Sequence, residues 1–259
     1  MSQPNSSMET GLVSQAPRNL ERARQSTLLD FSARLVGVHG PVAEYGSKNA
    51  DFSPIETLRE PNAKGTFVSF SSLRLENALP PAEFGRTLHG RGFELVFVKD
   101  FSRVWFQQGL NGVTSNRQET SAFLEELLSK LPRPWTFIGS SSGGYAALFF
   151  GTRLSADRVL AFAPQTLVDR HTFSRFAKMR PFEAGFKASD PENDLLNCMS
   201  KTGDGPAIKV FHGNSHYKDK RQAARIAELP NVSVVGAETN THNIAQHLRN
   251  QGSLDDLLF

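Results

Sequence analysis

Residues 135–151 read WTFIGSSSGGYAALFFG. An apolar run enters a knot of serine and glycine and leaves as a run of small and apolar residues, the pattern of strand, tight turn and helix. A Walker-type phosphate cradle needs a lysine where Tyr145 stands, and the GxGxxG spacing of a dinucleotide site is absent. A loose Gly/Ser linker has no place between a strand and an Ala-rich helix start. What remains is Gly139-Ser140-Ser141-Ser142-Gly143, a match to GxSxG, in which a serine is held at the apex of a strained turn. Residues two positions to either side must be small, or they collide with the strand and the helix. Gly139 and Gly143 meet that demand around Ser141. Centring on Ser140 puts Ile138 and Ser142 there, and centring on Ser142 leaves only one glycine. Ser141 is therefore the expected nucleophile, with a structural turn serine as the alternative.

The surrounding pattern is that of an α/β protein. Short apolar runs at 65–72, 93–100, 135–140, 157–165, 207–213 and 232–236 predict strands; 80–92, 117–131, 219–229 and 243–258 predict helices. Strands apolar on both faces, alternating with helices, imply a mostly parallel twisted sheet covered by helices on both sides. Residues 31–61 hold short apolar pieces that suit edge strands. Residues 166–205 break the alternation after the fourth strand of this α/β region and are expected to form an insertion or lid over the C-terminal edge of the sheet, where ligands bind in such folds. Residues 1–28, rich in Ser, Gln, Asn, Pro and Arg, read as a mobile tail, leaving 29–259 as one domain.

Bulk chemistry excludes several functions. The net charge is +3 with the basic residues scattered, which gives nucleic-acid binding no support. The lone cysteine, Cys198, permits no intramolecular disulfide and is expected to be buried and inert. No apolar stretch reaches the roughly 18 residues a membrane span needs, and no secretory signal is evident. The chain reads as cytoplasmic. No His/Cys/Asp spacing suggests a metal, and no cofactor is expected.

The segment FIGSSSGGYAAL resembles the α/β-hydrolase superfamily. It is similar above all to bacterial members carrying GxSxGGYAALxFG followed by L.ADRVLAF.PQ, matched here from Gly139 to Gln165. The resemblance implies an α/β-hydrolase-type fold and an esterase or acyltransferase, with a small-molecule or glycan ester as substrate. It also implies the chain order serine, acid, histidine. His242, in a polar loop after the last strand, is the expected base. The usual acid positions after Gly213 hold Ser215 and His216, a departure. Asp219 is the first carboxylate beyond them and the favoured acid, unless it only caps the following helix; Glu238 and Asp194 are the alternatives. Oxyanion donors are expected at the backbone N–H of Ser142 and of Ser71 or Ser72. Gln165, Trp105 and Asp100 are candidates for substrate contact, with structural roles as the alternative. Three functions stay open: a serine ester hydrolase working through an acyl-enzyme, an O-acyltransferase passing the acyl group to a glycan or other hydroxyl, and a non-catalytic binding protein of the same fold.

Overall fold

The computed structural model describes residues 16–74, 79–172, 186–200 and 205–259. Eight strands form one sheet: β1 (Val42–Glu44), β2 (Ile55–Leu58), β3 (Thr66–Phe70), β4 (Glu94–Val98), β5 (Trp135–Ser140), β6 (Arg158–Phe162), β7 (Ala207–Gly213) and β8 (Val232–Ala237). Their spatial order is β1-β2-β4-β3-β5-β6-β7-β8, and among the described strands β2–β4 is the one antiparallel pair. The helices are α1 (Ala16–His39), α2 (Gly85–Leu88), α3 (Arg117–Leu128), α4 (Ser142–Arg153), α5 (Leu195–Met199), α6 (Tyr217–Ala224), α7 (Ile244–Asn250) and α8 (Leu254–Leu258).

Every residue of β3 and β4 is buried, as parallel strands covered on both faces require. Successive side chains point to opposite faces, so each strand feeds two cores. Val68, Val96 and Phe137 pack with Leu124 and Leu128 of α3 and with Tyr145 and Phe150 of α4. Phe67, Leu95, Phe97 and Ile138 pack on the other face with Leu88 of α2, Ile244 and Leu248 of α7 and Leu254 of α8. A buried Lys99–Glu56 ion pair ties the chain just beyond β4 to β2, and Lys99 Nζ also donates to the Ala50 carbonyl at 2.8 Å. Burial pushes the Glu56 carboxyl up, and the Lys99 ammonium opposes that shift. No helix among the described residues is long and apolar enough to cross a membrane.

The boundaries differ from expectation in four places, one being the first apolar piece of 31–61, which suits an edge strand but lies in α1 up to His39. The stretch read as a tail over 1–28 overlaps α1 from Ala16 onward. Helix-forming Glu, Arg, Ala, Gln and Leu outweigh its polar composition. The same helix is docked: Ser32 Oγ donates to the Phe52 carbonyl, Asn111 Nδ2 donates to the Leu29 carbonyl, and the Phe31 ring meets Phe52 edge-on. The helix expected over 80–92 shrinks to α2, entered through Phe84 in a left-handed conformation (φ 63°). The helix expected over 243–258 is split, because Gly252 turns left-handed at φ +76° between α7 and α8. Parts of the expected insertion, 173–185 and 201–204, lie outside the described residues. The rest is tied down by a Leu167–Asp194 bridge and by the Tyr145 hydroxyl, which donates to the Glu192 carbonyl.

Candidate active site

β5 ends at Ser140 and α4 begins at Ser142, which leaves Ser141 alone at the turn with φ 55° and ψ −117°. A side-chain-bearing residue held there costs about 1–3 kcal/mol, so the surroundings must enforce it. They do so from both sides. Ser141 N donates to the Phe162 carbonyl at 2.8 Å, extending the β5–β6 ladder, and the Ser141 carbonyl accepts from Tyr145 N, the first bond of α4. The flanking glycines have no room for anything larger. A Cβ on Gly139 would fall 2.1 Å from the Gly143 carbonyl oxygen, and one on Gly143 would fall 2.3 Å from the Phe70 carbonyl oxygen at the end of β3.

Three side chains meet above this turn. Ser141 Oγ lies 3.1 Å from His242 Nε2, and His242 Nδ1 lies 2.8 Å from Asp219 Oδ2. A carboxylate only accepts, so the imidazole hydrogen sits on Nδ1 and Nε2 is left to accept from the serine hydroxyl. Asp219 is buried, whereas Ser141 and His242 are half-buried. His242 stands in the loop between β8 and α7. Asp219 is the third residue of α6, and the capping position belongs to His216. The His216 ring lies against the same oxygen that His242 uses, Nδ1 to Oδ2 at 2.8 Å, while its Nδ1 accepts from Asp219 N at 3.4 Å. The alternative acids are placed elsewhere: Glu238 accepts from Asn214, and Asp194 caps α5 and pairs with Arg225 at 2.7 Å.

Of the expected oxyanion donors, Ser142 N is the first amide of α4 and has no acceptor within its helix. Ser71 N donates to the Val98 carbonyl at 2.9 Å, and Ser72 N donates to Glu83 Oε1 at 3.1 Å. Gln165 lies just past β6, 5% exposed, and its Nε2 donates to Ser141 Oγ at 3.1 Å. Its Oε1 accepts from Trp105 Nε1 at 3.1 Å. Asp100 is buried against its own loop, where its two carboxylate oxygens accept from Arg103 N and Phe106 N.

A cavity of about 520 Å³ opens at Ser141 and His242 and is lined also by Ser72, Arg74, Glu83, Arg86 and Arg249. Gln165, Trp105 and Asp100 do not line it. His216, Glu83 and the three arginines escape sequence reasoning because none belongs to a motif. The one available signal was His216 at a position where the fold normally keeps its acid. A metal-type grouping exists among the described residues, with donor atoms of His216, Asp219 and His242 within 4.8 Å of one another. These are the same groups that hydrogen-bond above Ser141. An ion there would replace those bonds, so the residues suit the hydrogen-bonded row at least as well as a metal.

The strand order, the single antiparallel pair and the strained serine turn between β5 and α4 define the α/β-hydrolase fold, and the chain has it. It is similar to the solved capsule O-acetyltransferase of Neisseria meningitidis serogroup A (TM-score 0.59, 13% identity, covering 78% of this chain and 91% of that one). A mutant of that enzyme in complex with CoA is also similar (TM-score 0.56, 14% identity, 78% and 91% covered). So is esterase B from Lactobacillus rhamnosis (TM-score 0.53, 11% identity, 96% and 98% covered). No protein-family model matches the sequence, and no curated protein matches it.

Proposed function

We propose that the protein is a serine hydrolase of carboxylic esters that works through an acyl-enzyme. The observation that carries this reading is the continuous row Ser141 Oγ–His242 Nε2, His242 Nδ1–Asp219 Oδ2 at the mouth of a cavity. A serine hydroxyl becomes an effective nucleophile only when a neighbouring base takes its proton. In this reading His242 Nε2 takes it as Oγ bonds to the ester carbonyl carbon, and Asp219 holds the imidazole in the required tautomer and stabilises its charged form. The oxyanion faces Ser142 N. Collapse expels the alcohol, which leaves with the proton from His242. Water then attacks the acyl-enzyme through the same base.

The cavity suggests what the ester carries. Three arginines, Arg74, Arg86 and Arg249, are among the residues lining it, with one acidic residue, Glu83. Arg249 donates to neutral Gln246 and Thr87, and Arg86 has no carboxylate partner among the described residues. Arginine is suited to carboxylate and phosphate groups, so the substrate is read as an ester with an anionic part. That observation also favours a second reading, in which a phosphate-bearing thioester donates the acyl group and a sugar hydroxyl replaces water. The likeness to a capsule O-acetyltransferase is in keeping with it.

A fluorophosphonate probe tests the nucleophile. The wild type is expected to label and Ser141→Ala is not; undiminished labelling of Ser141→Ala sinks the reading. Product analysis with an ester or acyl thioester, with and without glycan acceptors, separates hydrolysis from transfer.

A further inference from the structure

Two amides beside the nucleophile that would serve as oxyanion donors are already bonded. Ser71 N is part of the sheet ladder, and Ser72 N is held by the Glu83 carboxylate. A tetrahedral intermediate needs more than the single amide of Ser142. The side chain that reaches Ser141 instead is Gln165, whose Nε2 lies 3.1 Å from Oγ.

The orientation of this carboxamide is imposed. An indole N–H donates and never accepts. Trp105 Nε1 therefore takes the Oε1 end of Gln165 and leaves Nε2 facing Ser141. The indole is itself fixed by an unusual loop. Arg103, Trp105 and Phe106 all have positive φ, at 56°, 54° and 60°. Such conformations cost about 1–3 kcal/mol each for residues other than glycine and persist only where the surroundings enforce them. Asp100 enforces them by accepting from Arg103 N at 2.8 Å and Phe106 N at 3.0 Å, and Arg117 Nε binds the Trp105 carbonyl at 2.9 Å. Trp105 is fully buried. The chain Asp100–loop–Trp105–Gln165 thus delivers one N–H to the nucleophile.

We propose that the Gln165 side-chain amide is the second oxyanion donor of this site, acting with Ser142 N. The inference rests on the serine-hydrolase reading. As Oγ bonds to the carbonyl carbon, the carbonyl π pair moves to its oxygen and the Oγ proton moves to His242 Nε2. Gln165 is not among the residues lining the cavity and would reach the reacting carbon past Oγ. Because Oγ and the oxyanion are then two oxygens on one carbon, the proposal has the N–H that donates to Oγ in the resting enzyme shift to the neighbouring oxyanion while Oε1 keeps its bond from Trp105. On collapse the pair returns, the C–O bond to the alcohol breaks, and the His242 proton leaves with it. Gln165 is a catalytic residue by this account, and Trp105 and Asp100 are positioning residues.

The test is ester kinetics and boronic-acid inhibition on the full chain, with wild type, Gln165→Leu, Gln165→Glu and Trp105→Phe. Loss of one donor from an oxyanion site lowers kcat about 10²–10³-fold. Gln165→Leu is expected to fall in that range with KM little changed, and the tetrahedral boronate adduct should weaken in parallel. Gln165→Glu, which places an acceptor against the oxyanion, should fall at least as far. Trp105→Phe should give a smaller loss in kcat, because the carboxamide can then turn either way. Thermal melting and the fraction of molecules labelled by fluorophosphonate separate chemistry from folding. Wild-type kcat in a folded Gln165→Leu, or a loss confined to KM, overturns the inference while leaving the serine reading intact. Absence of wild-type labelling and turnover overturns both.

Discussion

Gly143 shows how tightly the nucleophile turn is drawn. A methyl group there would lie 2.3 Å from a backbone oxygen of β3, which cannot swing aside as a side chain would. Gly143→Ala is expected to lower the melting temperature and to slow fluorophosphonate labelling together, because strand and helix must part to admit the methyl. Asp219→Asn is the complementary case. It keeps the shape but removes the carboxylate that selects the His242 tautomer, and should lower kcat about 10⁴-fold, the size of effect known for such a change in another serine-histidine-aspartate enzyme. His216→Ala leaves that carboxylate to His242 alone, and its kcat/KM should stay within about tenfold of wild type. A loss as deep as that of Asp219→Asn would show that both imidazoles are required. At this scale the glycine spacing places Ser141 at the turn, and the loop after the last strand carries His242 to within 3.1 Å of it; their roles as nucleophile and base are the proposed reading. Asp219 was ambiguous from sequence because an acid in the first turn of a helix looks like any other dipole-favoured carboxylate. Glu83 was illegible, since it owes its place to the Ser72 amide across a loop, and His216 showed only as an odd residue at a usual acid position, its cap on the following helix being visible only in three dimensions.

The loop between β4 and α3 shows what one element can do for another. Arg117, the first residue of α3, reaches back to the Trp105 carbonyl and sideways to Asn193 Oδ1 at 3.1 Å and Asp190 Oδ2 at 3.4 Å. Its guanidinium also lies over the Tyr145 ring, 5.0 Å from the centroid. Arg117→Met keeps much of the length but strands those acceptors. Each buried polar group left without a partner costs about 1–3 kcal/mol, so urea unfolding should show a fall in stability of that order or more. The periodicity of α3 is plain in the sequence, but not the destination of its first side chain. The same limit explains the misread elements. Composition made residues 16–28 look like tail, where α1 has already begun at Ala16; the contacts that dock this helix come from Leu29, Phe31 and Ser32. One glycine was enough to divide the C-terminal helix, where apolar spacing suggested continuity.

The alternation of strand and helix identifies a parallel sheet, but local patterns carry no information about which strand lies beside which, so the order of the eight strands was not legible. Nor was the cross-sheet ion pair. Lys99 and Glu56 are buried to about 1% and 3% side-chain exposure and link the antiparallel margin of the sheet to its centre. Lys99→Met would leave Glu56 buried without its partner and is expected to cost about 3–5 kcal/mol, whereas combining Lys99→Met with Glu56→Leu should recover most of that loss in chemical denaturation. Asp219 follows β7, and the loop bearing His242 follows β8, which among the described residues pairs with β7 alone. Ser141 precedes His242 by 101 residues. During synthesis the chain through Ser141 is therefore made well before His242, its proposed base. On the proposed reading, the Ser141 hydroxyl stays unactivated until the loop after the last strand is made, and fluorophosphonate labelling would report that this final edge is in place.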